Sequence, residues 1–134
     1  MADSEKHTLR GRSVMPSLTV DDLQQSLDFF LALGFELEDR WEDGGVLLGA
    51  MLKAGDAHLG LSQDDGKKGR GRVKGVGMRL YIEAAEDIDQ VAARARTAGV
   101  ALTSEPYDTE WGARAFEVRD PSGFALTISS PLSK

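Results

Sequence analysis

Hydrophobic residues follow two rhythms along this chain, and the rhythms come in the same order twice. Over "VMPSLTV", residues 14–20, Pro16, Leu18 and Val20 alternate against Met15, Ser17 and Thr19, the period of an extended strand. The spacing then lengthens. Leu23, Leu27, Phe30 and Leu31 form one stripe of a predicted helix that Asp21 or Asp22 caps and Gly34 ends. Three strands are predicted next, Phe35–Trp41, Val46–Lys53 and Ala57–Ser62, parted by "EDGG" and "AGD" turns. The second half repeats the order. In "GVGMRLYIE", Met78, Leu80 and Ile82 alternate with Gly77, Arg79 and Tyr81. "AAEDIDQVAARARTAG" places Ile88, Val91, Ala92, Ala95 and Ala98 on one helical face, closed by Gly99. Strands follow at Val100–Glu105, Gly112–Arg119 and Phe124–Ser130. With one helix to four strands in each half, the expected fold class is α+β, built from two tandem βαβββ modules.

The pattern divides the chain into a tail at 1–13, a first module at 14–65, a linker at 66–75 and a second module at 76–134, together one compact domain. The linker, "GKKGRGRVKG", carries five basic residues and no acid. Gly69, Gly71 and Gly75 do not match a dinucleotide fingerprint, and no predicted helix opens after them. A mobile, solvated connection is expected there. The closing hairpin turns on "DPSG": Asp120 can bond forward to the backbone, Pro121 presets φ, and Gly123 closes the corner. That turn is predicted to be structural, fixing the register of the last strand.

Composition narrows the function classes. A chain of 134 residues buries enough apolar surface to fold without staples, and it has no cysteine, which excludes disulfides and thiolate chemistry. "MADSEKHTLRGR" has no apolar core of a signal peptide, and no run is long enough to span a membrane, so a cytoplasmic location is expected. The net charge is −6; the first 66 residues hold 5 basic and 13 acidic side chains, the rest 11 and 9. An acidic chain does not suit nucleic acid, whose binding rests on phosphate neutralisation, but suits steering of a cationic small molecule.

Two motifs carry a family resemblance. "LTVDDLQQSLDFFLALGFEL" resembles the opening of a vicinal-oxygen-chelate domain, the superfamily of glyoxalases, bleomycin-resistance proteins and extradiol dioxygenases. "EPYDTEWGARAFEVRDPSGFALTIS" resembles its closing hairpin, and the likeness covers residues 14–130. It implies that the modules form a curved mixed sheet enclosing a cup, and that the protein works as a homodimer. The enzymes of that superfamily hold a divalent metal in the cup. Carried over, their ligand positions fall at Met15, Gly60, Gly77 and Thr127. A thioether, two glycines and a lone hydroxyl are poor ligands for such an ion, so no metal or other cofactor is expected.

Alternation puts Met15, Ser17, Thr19, Gly77, Arg79, Tyr81, Ala125, Thr127 and Ser129 on the face opposite the helices. Around them stand Trp41, Tyr107 and Trp111, while Phe116 is expected in the core. Arg79 is either paired with Glu117 or a rim carboxylate, or reserved for an anionic group of a ligand. His58 shares the face of Gly60 and is the one weak catalytic candidate, with no partner identifiable from spacing. The expected ligand-binding set is therefore Met15, Ser17, Trp41, His58, Arg79, Tyr81, Tyr107, Trp111 and Thr127. The expected function is sequestration of a small ligand, cationic or aromatic, in a metal-free cup, with antibiotic resistance as one form of it. The alternative is a lyase, isomerase or dioxygenase that uses a metal or His58.

Overall fold

The computed structural model describes residues 7–69 and 71–132. It contains the expected duplication. The first module runs β1 (Ser17–Val20), α1 (Leu23–Leu33), β2 (Glu36–Asp43), β3 (Val46–Ala54) and β4 (Ala57–Gln63). The second runs β5 (Arg79–Glu83), α2 (Ile88–Thr97), β6 (Leu102–Asp108), β7 (Ala113–Arg119) and β8 (Ala125–Pro131). Each module makes its own four-stranded mixed sheet, in the orders β1-β4-β3-β2 and β5-β8-β7-β6. The opening strand of each module lies parallel to its last strand, and the other pairs are antiparallel. Among the described residues no helix is long and apolar enough to cross a membrane.

Both helices start where their caps dictate. The Asp22 carboxylate accepts from the Gln25 amide and the Asp87 carboxylate from the Asp89 amide, each satisfying a donor the first turn leaves open. Leu23, Leu27 and Phe30 of α1 and Ile88, Val91, Ala92 and Ala95 of α2 are buried against the sheets. Phe30 meets Phe29 and Phe35 edge to face. Leu18, Val20, Leu52 and Leu61 of the first module and Phe116, Val118, Leu126 and Ile128 of the second belong to one continuous core on the helix side of both sheets. Phe116 is in the core as expected.

Strands β1 and β5 start later than the alternation predicts. Pro16 has no amide to give a ladder, and Gly75 and Gly77 take φ of +79° and +74°, outside the pleated range, so pairing begins at Ser17 and Arg79.

The modules are joined at the "DPSG" turn. Asp120, 2% exposed, accepts from the amides of Ser122 and Phe124, as a turn aspartate does, and also from the Ser26 hydroxyl of α1 at 2.6 Å. Ser122 Oγ accepts from the Asp21 amide at 2.8 Å. The connecting segment is pinned nearby. Lys74 reaches Asp64 at 2.8 Å and Asp21, and Arg72 reaches Asp64 at 3.3 Å. A Cβ on Gly123 would stand 2.9 Å from the Lys74 carbonyl, so only glycine admits that backbone approach. The Lys74 bond, helped by the Gly66 amide, holds the Asp64 carboxyl at about 2. The carboxylates of Asp21 and Asp64 in turn raise Lys74 above the usual lysine range.

Candidate functional site

Register decides which side chains share the open face of each sheet. In the first sheet one row reads Ser17, Gly60, Met51, Asp39 and the next Thr19, Ser62, Gly49, Trp41. The Trp41 indole rests against Gly49, where a Cβ would overlap its Cζ2 and Cε2 atoms. Glycine here removes the one obstacle to a ring resting on the strand. Trp41 remains 46% exposed. His58 sits at the opposite end of this face, in the row of Lys53. Four residues of β4 separate the two rows, about 14 Å along the strand. Its Nδ1 lies 3.2 Å from Glu38 Oε1, so His58 does have a carboxylate partner, both groups being exposed.

The second sheet presents a different surface. Its rows are Arg79, Ala125, Arg119 and then Tyr81, Thr127, Glu117, Ser104. Tyr107 donates its phenolic proton to Glu117 Oε2 at 2.6 Å. Arg79 Nη1 stands 3.7 Å from Glu117 Oε1 and donates to Thr127 Oγ1 at 3.0 Å. The bond to Glu117, with partial burial, pushes the Tyr107 phenol up from its usual value. Thr127, 2% exposed, spends its hydroxyl on Arg79. Tyr81 and Trp111, 67% and 64% exposed, border a groove of about 560 Å³ with Glu83 and Ser129. Tyr81 and His58 also border a smaller cavity of about 190 Å³ between the modules.

Of the residues singled out in the sequence, Arg79, Tyr107 and Thr127 therefore meet in one network, and Tyr81 and Trp111 share a groove. Ser17 and Trp41 lie on the other sheet. Met15 precedes β1, 44% exposed, and His58 stands apart from Trp41. Glu38, Met51 and Gly49 were not expected in these places. Glu38 sits at a register shift between Leu37 and Asp39, which strict alternation cannot foresee. Gly49 carried a signal, a glycine inside an apolar strand, which marks a close approach.

Comparison with known proteins places the fold. The profile of the Glyoxalase/Bleomycin resistance protein/Dioxygenase superfamily matches residues 7–128. The chain belongs to that superfamily. A search of curated protein sequences finds no match. Solved structures with the same fold include TioX from Micromonospora sp. ML1, 20% identical, with a TM-score of 0.69 over 92% of this chain and 98% of that one. A glyoxalase/bleomycin resistance protein/dioxygenase from Nocardioides is 22% identical, with a TM-score of 0.71 over 97% and 89%. TnmS3, an antibiotic binding protein from Streptomyces sp. CB03234, is 22% identical, with a TM-score of 0.69 over 94% and 100%.

The divalent metal implied by the sequence resemblance does not fit the residues at the positions onto which that resemblance carries its ligands. Gly60 and Gly77 offer no side chain, and Met15 offers a thioether. Thr127 already accepts from a guanidinium 3.0 Å away, a fixed positive charge that opposes a second cation at the same oxygen. Among the described residues no three His, Cys, Asp or Glu side chains are gathered as a metal site.

Proposed function

We propose that this superfamily member is a small-molecule carrier that stacks a planar aromatic ligand on Trp41 and does not transform it. The observation that carries the reading is the indole seated against Gly49 and still 46% exposed. A ring fixed on a strand loses little freedom when a ligand stacks on it, so most of the stacking energy is kept. TnmS3, which shares the fold, is an antibiotic binding protein. The four floor positions that do not fit an ion support a metal-free cup. Exposure of Trp41, Tyr81 and Trp111 in the single chain supports closure of the cup by a second copy, giving a homodimer.

Binding of neutral planar aromatics is read by quenching of tryptophan emission and by thermal shift. Trp41→Ala is expected to weaken binding about tenfold or more. Unchanged affinity in that variant, or silence across a panel of planar aromatics, sinks the reading.

A second reading rests on the His58–Glu38 pair: a carboxylate that orients an imidazole is the arrangement of a general base. In that case a bound aromatic is converted over time, and His58→Asn stops conversion without weakening binding. The two readings separate on whether ligand recovered after long incubation is chemically unchanged.

A further inference from the structure

We propose that the open face of the second sheet holds an oxyanion-binding site between Arg79 and Arg119. The inference rests on the reading of the open faces as ligand-bearing and adds an acidic group, a carboxylate or a phosphate, to the ligand. Arg79 pairs with Ala125 across β5 and β8, and Arg119 pairs with the same residue across β7 and β8. The two arginines thus flank one small side chain in a single row, two strand spacings apart, about 10 Å between backbones. Over Ala125 this leaves a hollow of about 460 Å³, walled by the arginines and by Gly75 to Met78.

Charge makes the hollow an anion site. Among the described residues no carboxylate lines it. Among the described residues Arg119 has no acidic partner; its Nη1 donates to the Gly123 carbonyl at 2.7 Å. Arg79 has, among the described residues, only Glu117 as acidic partner, one row away at 3.7 Å, and is steadied by Thr127. Each guanidinium is held through one amino group, and its remaining donors have no partner among the described residues. Two cations against one carboxylate leave a net positive charge at a site prepared for paired N–H···O bonds. The other basic residues nearby are already committed, Lys74 to Asp21 and Asp64 and Arg72 to Asp64.

The test uses inorganic phosphate on the full chain, with chloride at matched ionic strength as control. The arginine Nε–H signals and the Gly77 and Met78 amides are followed by NMR. Saturable shifts with phosphate are expected, weakened about tenfold in Arg119→Gln and partly kept in Arg119→Lys. A second arm compares 2-naphthoate with 2-naphthamide by tryptophan emission. Tighter binding of the carboxylate assigns the site to carboxylates; equal binding with saturable phosphate assigns it to phosphate esters. The proposal is overturned when phosphate behaves as chloride and the two naphthyl compounds bind alike. Loss of both naphthyl compounds while phosphate still saturates sinks the stacking reading and leaves the anion site standing. These comparisons hold in the unmutated chain, so a variant that fails to fold does not blunt them.

Discussion

Trp41 and Gly49 act as one unit, and a single methyl group tests it. Gly49→Ala puts a Cβ where the indole lies. The ring is expected to leave the strand, at a cost of about 1–3 kcal/mol in urea unfolding. Emission should shift to the red, and aromatic binding should fall as it does in Trp41→Ala. A native emission maximum with full binding would show that the ring does not need the glycine. At this scale the sequence was legible where alternation was strict. Ser17, Arg79, Tyr81 and Thr127 face as the period of two dictates. It was less legible where partners come from another strand: Glu117 could be named as a partner for Arg79, but its bond to Tyr107 depends on the register shifts within β6.

Among the elements, the "DPSG" turn does more than reverse the chain. Asp120 ties α1 of one module to the closing hairpin of the other through Ser26, and both groups are buried. Asp120→Ala strands the Ser26 hydroxyl and two turn amides, and is expected to cost about 2–4 kcal/mol by urea unfolding. Ser26→Ala, which leaves the turn bonds intact, should cost about 1–2 kcal/mol. Equal, negligible losses in both would mean that the bond joins nothing. The turn bonds themselves were readable from the order Asp, Pro, Ser, Gly, because an aspartate reaches its own turn. The bond to Ser26 was not, since it joins residues 94 apart in the chain and nothing local encodes it. Caps, helical stripes and the βαβββ order were readable for the same reason of locality, and the late starts of β1 and β5 are explained by Pro16 and the glycines before Arg79.

Over the whole molecule, two modules share one core and one connection, and acid should loosen that connection first. The Asp64 carboxyl lies at about 2 because Lys74 and the Gly66 amide favour its charged form. A group depressed in the folded state contributes stability that is complete above its unfolded value of about 4 and lost as pH falls through the folded value. Stability should therefore decline between pH about 4 and about 2, and Asp64→Asn should flatten that part of the profile. A profile unchanged in the variant would show that other carboxylates set acid stability. Charge at this scale also differs from charge at the site. The acidic excess lies in the first 66 residues, including the exposed β2, whereas the row of Arg79 and Arg119 is locally positive. Long-range attraction is screened by salt within about 10 Å, while paired N–H···O bonds are not, so the short-range pair decides which charge a docked molecule carries.

The two open faces turn outward from a common interior, and this has a consequence for counting. In the proposed homodimer each polypeptide supplies one wall to each of two compartments. A two-fold pair would juxtapose unlike walls twice over, producing a matched couple of compartments. Calorimetric titration should then level off at one guest per polypeptide and fade on dilution as the pair comes apart; retention at dilutions where native mass spectrometry shows only single polypeptides would mean that each half-wall grips unaided.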